Sequence, residues 1–281
     1  MLFMEEKENK YLFLKDYRET GFERILDQAN EKPHLPLLPL IHKADSVPDP
    51  GWNDPPALDY FASGFIPAVP CDVFGENLVY TFIGRPAYRE LKNPVCFILK
   101  PAPELLQNIF LFDSGGYHND RYRRIIDKGL EIDLFRIPAK RDYIVRFIQY
   151  YYGNNRNYYF SHSKNINEFT LRGSEEEFAY LMLEHIRSFN ALEFDARCRT
   201  LENILRTPIS LDMYAEGIIL PESLKENESV RSFLETRDRK FDLMYYDDLH
   251  EFTTQAARNY AIHIILARYY EEKGYMIYHE S

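Results

Sequence analysis

The sequence has few cysteines and no segment typical of export or membrane insertion. Its three cysteines are far apart, odd in number and without CxxC spacing, which excludes a disulfide framework and a zinc finger. Reduced thiols in a cytoplasmic protein fit this pattern best. The acidic start MLFMEEKENK lacks a basic region followed by an apolar one, and no apolar run approaches membrane-spanning length. We therefore expect neither a signal peptide nor a membrane partner.

Positive charge is also scarce. The chain carries 34 Lys and Arg against 44 Asp and Glu, which gives a formal net charge of -10 at pH 7. A chain of this balance has no broad electrostatic attraction for nucleic acid, because a strong grip on phosphates needs an excess of cations. A local basic patch remains open.

The common nucleotide-binding and hydrolase signatures are absent as well. The sequence contains no GxxxxGK[ST], no GxGxxG after a predicted strand, no HExxH and no GxSxG. The DSGG segment offers a serine, Ser114, but no nucleophile elbow surrounds it and the pattern predicts a plain turn. Any chemistry must therefore come from a less familiar constellation.

The sequence does contain apolar and aromatic material in the order of an α+β domain. Hydrophobic residues make up 45% of the 281 residues, with 22 Tyr and 20 Phe, enough for a core and for cavities lined by rings. The predicted elements do not alternate regularly as in a βαβ fold. We expect a single domain over residues 1–281, with a helical insertion at roughly 117–195. Strands are predicted at residues 37–41, 78–83, 95–99, 109–112, 200–205, 217–220 and 241–246, and helices at 16–30, 58–65, 118–130, 142–152, 174–189 and 251–273.

The stretch from Asn77 to Leu99 concentrates the residues with the clearest chemistry. It predicts a strand, a corner at Gly84 and Pro86, a short helix and a second, buried strand. Aromatic rings stack on flat ligands and arginine forks match phosphate oxygens, so its polar side chains could hold a flat, phosphorylated ligand. A tyrosine-rich core with surface arginines is the alternative interpretation. The side chains in question are Tyr80, Arg85, Tyr88 and Arg89.

Four separated residues resemble the signature of a known family. His42 follows the apolar run LLPLI, at the end of a predicted strand. Tyr80 and Tyr88 lie on the next strong strand and the helix expected after it, and Glu202 lies in TLENIL on a late strand. This arrangement is similar to the H-Y-E residues of ADP-ribosyltransferases, in the branch of diphtheria toxin, the poly(ADP-ribose) polymerases and the DarT-like toxins. The resemblance implies a split β-sheet and a metal-independent transfer of ADP-ribose from NAD.

The resemblance also implies a role for each residue. His42 would hydrogen-bond a ribose hydroxyl of NAD, while Tyr80 and Tyr88 would pack around nicotinamide. Glu202 would hold the nicotinamide ribose and stabilise the positive charge that develops as the glycosidic bond breaks. From its chemistry alone, Arg85 could pair with the pyrophosphate. If the resemblance holds, His42, both tyrosines and one glutamate should line a single cleft.

Several alternatives stay open. Glu216, before the apolar strand GIIL, is a second candidate for the catalytic carboxylate. Lys43 and Ala44 stand where the family's polymerase branch has Gly-Thr, and Gly84-Arg85-Pro86 replaces the serine between the tyrosines. The chain could be an ADP-ribosyltransferase acting on protein or nucleic acid, an NAD glycohydrolase, or an RNA 2′-phosphotransferase of the same fold. The departures favour a further alternative, a non-enzymatic nucleotide- or protein-binding module.

Overall fold

The fold is built from one large mixed sheet with helices packed around it. The computed structural model describes residues 19–28, 32–48, 55–87, 91–118, 132–162, 196–236, 240–250 and 254–276. The helices are α1 Gly21–Gln28, α2 Ala57–Ser63, α3 Ser114–His118, α4 Arg141–Tyr152, α5 Asn155–Tyr159, α6 Leu211–Tyr214, α7 Glu228–Glu235 and α8 Gln255–Glu272. The strands are β1 Leu40–Asp45, β2 Phe65–Ile66, β3 Val69–Cys71, β4 Glu76–Ile83, β5 Pro94–Leu99, β6 Asn108–Phe110, β7 Arg136–Ile137, β8 Glu202–Leu205, β9 Ile209–Ser210, β10 Ala215–Pro221 and β11 Asp242–Tyr246.

The main sheet runs in the order β11-β10-β5-β1-β4-β8-β6-β7, with β3 attached to β4. All its pairs are antiparallel except β10 with β11. The small strands β2 and β9 form a separate two-stranded sheet. The structure therefore confirms an α+β fold, with strands that are distant in sequence lying side by side.

The sheet splits between β1 and β4. These strands pair only at Leu40 with Ile83 and at Ile41 with Phe82. Beyond that point β1 continues to pair with β5 as far as Asp45, whereas the start of β4 pairs with β3. The divergence leaves a gap in the middle of the sheet, which is the feature that positions the candidate site.

The two faces of β4 and β8 bury different clusters. Successive side chains of a strand point to opposite faces, so Tyr80 and Phe82, two residues apart, share one face of β4. Their partners on β8, Ile204 and Glu202, lie on the same face. The opposite face sends Val79, Ile83 and Leu205 into the main core. A smaller cluster, which Tyr80 joins from the edge, consists of Phe74, Leu78, Phe110, Ile132 and Ile204.

Helices from several parts of the chain pack on the sheet. In α2, Tyr60 and Phe61 lie with ring centroids 5.8 and 5.5 Å from that of Phe97 on β5. In α5, the hydroxyl of Tyr158 donates to the carbonyl of Ile83 at 2.9 Å, while the same hydroxyl accepts from an amide of the segment that leads into β8. Residues 132–162 of the expected insertion thus contact the central sheet, and the remainder of 117–195 lies mostly outside the described residues. The domain boundary stays a prediction.

Strong local patterns predicted their elements well. The strands expected at 78–83, 95–99 and 241–246 and the helices expected at 58–65 and 142–152 are confirmed to within two residues at each end. The apolar run of β5 is buried along its whole length, as expected for a strand covered on both faces. The helices expected at 118–130 and 174–189 lie outside the described residues, apart from His118 at the end of α3.

Two local predictions are wrong. His42 is the third residue of β1, not the residue after a strand, because β1 starts only at Leu40. The DSGG segment is not a plain turn: Ser114 begins α3, and its side chain bonds to Glu202, which is 88 residues away in sequence.

Among the described residues, no helix combines the length and apolar character needed to cross a membrane.

Candidate functional site

A cleft of ≈ 420 Å³ occupies the split in the sheet. Ligand pockets typically measure about 300–1,000 Å³, so the cleft is large enough for a ring with an attached sugar. Its walls are the diverging part of β1, residues 42–45, the β3 hairpin, residues 69–73, and residues 78–80 of β4. Further lining comes from Val47, Pro55, Pro56, Tyr60, Pro67 and Leu91.

His42 lies where the strands part. Its Nδ1 is 2.8 Å from the carbonyl oxygen of Tyr80. A carbonyl oxygen only accepts, so this bond places a proton on Nδ1, while Nε2 is buried. The ring centroid lies 5.8 Å from that of Tyr60 and 6.3 Å from that of Phe97. The imidazole therefore links β1 to β4 across the split and has a fixed orientation.

Tyr80 contributes the second predicted side chain to the cleft. It is half-buried, and its hydroxyl oxygen is 2.9 Å from the sulfur of Cys71 on β3. The orientation of the ring is fixed at both ends, because the Tyr80 carbonyl binds His42 and the Tyr80 hydroxyl contacts Cys71. Cys71 is a site residue that the sequence did not predict, because the number and spacing of the three cysteines indicate only the redox compartment.

Two charged residues of β1 also line the cleft. Lys43 is buried, and its ammonium group donates to Asn259 on α8 at 2.5 Å. The carboxylate of Asp45 accepts from the backbone amides of Asn93 and Lys92. Lys43 stands where the resembled family has glycine, and its ammonium group is bound to α8.

Glu202 does not line the cleft. It is fully buried on β8, and its Oε2 accepts from the amide of Ser114 at 2.9 Å and from the Ser114 hydroxyl at 2.5 Å. Its Oε1 is buried and has no hydrogen-bond partner among the described residues. Because Glu202 pairs with Phe82, it is a diagonal neighbour of Tyr80 on the same face, about 7–8 Å away.

Burial governs the charge of Glu202. The pKa of the carboxyl group is raised to about 8, chiefly by burial and then by the nearby Asp113, although the Ser114 hydrogen bonds and Arg197 act in the opposite direction. Asp113 itself lies 3.6 Å from Nε of Arg197 and accepts from the amide of Gly116 at 3.0 Å. Near neutral pH the Glu202 carboxyl group is mostly protonated.

The other predicted residues are dispersed. Glu216 lies on β10, where the hydroxyl of Tyr275 donates to its Oε2 at 3.4 Å and the pKa of Tyr275 is raised to about 12, chiefly by burial. Arg85 is buried beyond the end of β4 and is not part of the cleft lining. Tyr88 lies outside the described residues. The cleft therefore unites His42 and Tyr80, and the expectation that a glutamate lines the same cleft is not met.

Comparison with other proteins adds no assignment. The chain matches no protein-family model, no curated protein and no solved structure. Within the described ranges, no three or more His, Cys, Asp or Glu residues are grouped so as to hold a metal ion. The proposals below rest on geometry and on the resemblance carried by individual residues.

Proposed function

We propose that the protein binds NAD in the cleft at the split of the sheet and transfers its ADP-ribose group to a macromolecule or to water. One observation supports this most directly. The strands that carry His42, Tyr80 and Glu202 are consecutive neighbours in the sheet, β1-β4-β8, and the sheet opens between the first two. Residues far apart in sequence thus lie on neighbouring strands, which a shared site needs.

The cleft has the chemistry to hold a nicotinamide riboside. The Tyr80 and Tyr60 rings offer flat apolar surfaces, on which a nicotinamide ring could stack. The His42 imidazole holds the cleft wall in place, since Nδ1 donates to the Tyr80 carbonyl; its Nε2 is buried, so a ribose hydroxyl reaches that atom only if the ring or its neighbours move.

The charge-stabilising role of Glu202 needs its ionised form. A protonated carboxyl group gives little electrostatic support to a developing cation. Turnover that depends on Glu202 should therefore increase as its proton is lost. NAD is the substrate in this proposal, and the acceptor is a protein or a nucleic acid in the cytoplasm.

The second candidate function is a nucleotide-binding module without turnover. The observation that favours it is the position of Glu202, which is fully buried and bonded to Ser114 instead of facing the cleft. In that case His42 and Tyr80 recognise the ligand and no bond is broken. NAD binding without nicotinamide release would select this function.

The test is incubation of the full chain with NAD labelled in the nicotinamide and, separately, in the adenylate. Nicotinamide release reports cleavage, transfer of the adenylate label reports ADP-ribosylation, and calorimetry reports binding. Tyr80→Ala should weaken NAD binding roughly 5- to 150-fold, since base–aromatic stacking contributes about 1–3 kcal/mol. Tyr260→Ala, at a tyrosine that is 67% exposed on α8, is the matched control. Absence of both binding and cleavage at millimolar NAD would contradict the proposal.

A further inference from the structure

Arg85 is held in an unusual position by the turn that precedes it. Gly84 has φ +69°, and a Cβ atom there would lie 2.4 Å from Cδ1 of Leu38. Its amide donates to the carbonyl of Pro39 at 2.8 Å, which fixes the chain as it leaves β4. The turn therefore directs Arg85 inwards, where only 5% of its surface remains exposed.

The buried guanidinium of Arg85 has no carboxylate partner in the described part of the chain. Its Nη1 donates to the carbonyl of Arg199 at 3.1 Å, and its Cζ lies 6.0 Å from the centre of the Tyr158 ring. Its Nε is buried without a hydrogen-bond partner among the same residues. The buried guanidinium therefore keeps an unsatisfied Nε donor, in addition to a charge that no described carboxylate balances.

The other buried arginines are balanced differently. Among the described residues, Arg136 lies 3.1 Å from Asp133, and Arg197 lies 3.6 Å from Asp113. A buried charge is strongly unfavourable unless an opposite charge and hydrogen bonds compensate it. Arg85 lacks the neighbouring carboxylate that both of these arginines have. Its counter-charge is therefore expected from outside the described protein residues.

We propose that Arg85 is the anchor of a binding site for a phosphoryl group, separate from the cleft. The Nε and Nη2 donors of an arginine lie on one edge and match two oxygens of a phosphate. The carbonyl that Arg85 binds belongs to the 3-10 turn Ala196–Arg199, which fixes the position of the guanidinium beside that turn. The site does not depend on the NAD proposal, because Arg85 is not among the cleft residues.

The phosphoryl group could belong to free phosphate or to a dinucleotide, and the experiment separates these sources. Binding of inorganic phosphate, pyrophosphate and NAD to the full chain is measured by calorimetry and by thermal melting, against chloride at equal ionic strength. Arg85→Met and Arg85→Lys are compared with Arg206→Met, an exposed arginine paired with Glu76. Loss of phosphate binding with unchanged NAD binding in the Arg85 variants identifies a separate phosphate ligand, whereas equal loss of NAD and phosphate binding assigns Arg85 to the dinucleotide's pyrophosphate and contradicts a site separate from the cleft.

The expected result has two parts. Arg85→Met should weaken phosphate binding at least tenfold while melting no lower than wild type without ligand, because an uncompensated charge has been removed. Arg206→Met should keep the phosphate response. If Arg85→Met does not fold, Arg85→Lys still decides, since a lysine keeps the charge but loses the two-donor edge and should also bind phosphate at least tenfold more weakly. Wild-type phosphate affinity in Arg85→Lys, or a wild type that does not respond to phosphate or pyrophosphate, would overturn the proposal.

Discussion

Glu202 shows how the surroundings of one residue set what it can do. A strand-face glutamate at a cleft would be ionised and solvated, but this side chain is fully buried and its pKa is raised to about 8. The two hydrogen bonds from Ser114 hold one oxygen, while the other has no partner among the described residues. The same carboxyl group therefore affects both the stability of the fold and the proposed chemistry.

The first prediction concerns stability against pH. The folded-state pKa of Glu202, about 8, lies above the ordinary value of about 4.5, so the stability that its protonated form contributes is fully present below about 4.5 and is lost as pH rises through about 8. Wild-type melting temperature should fall between pH 6 and pH 9 by roughly 2–4 °C for each kcal/mol lost. Glu202→Gln should remove this part of the slope, because an amide keeps the shape but does not ionise.

Thermal melting at pH 6 and pH 9 checks this expectation, with Glu216→Gln as the control at a half-buried glutamate elsewhere on the sheet. A slope in Glu202→Gln equal to that of wild type would show that Glu202 is not the group that titrates.

The second prediction concerns turnover. If NAD is cleaved with the help of the Glu202 carboxylate, kcat should increase with pH and level off above about 8, where the carboxyl group has lost its proton. Glu202→Gln should reduce kcat on the order of a hundredfold, while NAD affinity changes little, because the interaction acts in the transition state. Nicotinamide release measured from pH 6 to pH 9 gives the profile. Equal turnover by the variant would exclude Glu202, and Glu216→Gln would then be tested.

At the scale of single elements, the corner after β4 depends on Gly84. The third prediction is that Gly84→Ala destabilises the protein by about 2–4 kcal/mol, from the positive φ together with overpacking. The physical reason is the 2.4 Å approach to the Leu38 side chain, which leaves no room for a methyl group. Urea unfolding measures the change.

Gly274 provides the matched control for this prediction. Its φ is +75°, but a Cβ there would have no atom within 4 Å, so Gly274→Ala should show only the conformational part of the loss. Equal effects of the two substitutions would mean that Leu38 moves aside at little cost.

The elements that the sequence predicted well are those whose determinants are local. The helix at 57–63 ends at Gly64 in a left-handed conformation, and α4 ends at Gly153, as the sequence pattern indicated. The local sequence predicts a turn at Ser114, because the hydrogen bond between Ser114 and Glu202 joins residues that are 88 positions apart and forms only in the folded chain. The start of β1 was misplaced for a similar reason, since pairing with β5 decides which residues join the strand.

At the scale of the whole molecule, the candidate site follows from the sheet order. The resemblance to ADP-ribosyltransferases implies that His42, Tyr80 and Glu202 belong together, and the strand order β1-β4-β8 brings their strands side by side. Residue types alone did not predict that the sheet would open only between His42 and Tyr80, or that α3 would cover Glu202. Cys71, on β3, contacts the Tyr80 hydroxyl, and Lys43 donates to Asn259 on α8. Both contacts join residues of different elements, so no local sequence pattern predicts them.

The last prediction tests whether the described part of the expected insertion, residues 132–162, unfolds with the sheet. Tyr158 is fully buried, and its hydroxyl bridges the carbonyl of Ile83 and the amide of Leu201. Tyr158→Phe leaves both backbone groups without this partner, which should cost about 2–5 kcal/mol for two buried groups. Because the bridge connects α5 to β4 and to the segment before β8, the loss should lower the stability of helices and sheet together.

Hydrogen exchange followed by mass spectrometry, with denaturant added in steps, measures the two regions separately. Amides of α4 and of β5 should become unprotected in one transition in wild type, and that transition should shift as a unit in Tyr158→Phe, since a shared buried bridge makes the regions cooperative. Tyr260→Phe, at the exposed tyrosine of α8, should leave both unchanged. An earlier, separate transition of α4 in wild type would show that residues 132–162 form an independent unit docked on the sheet.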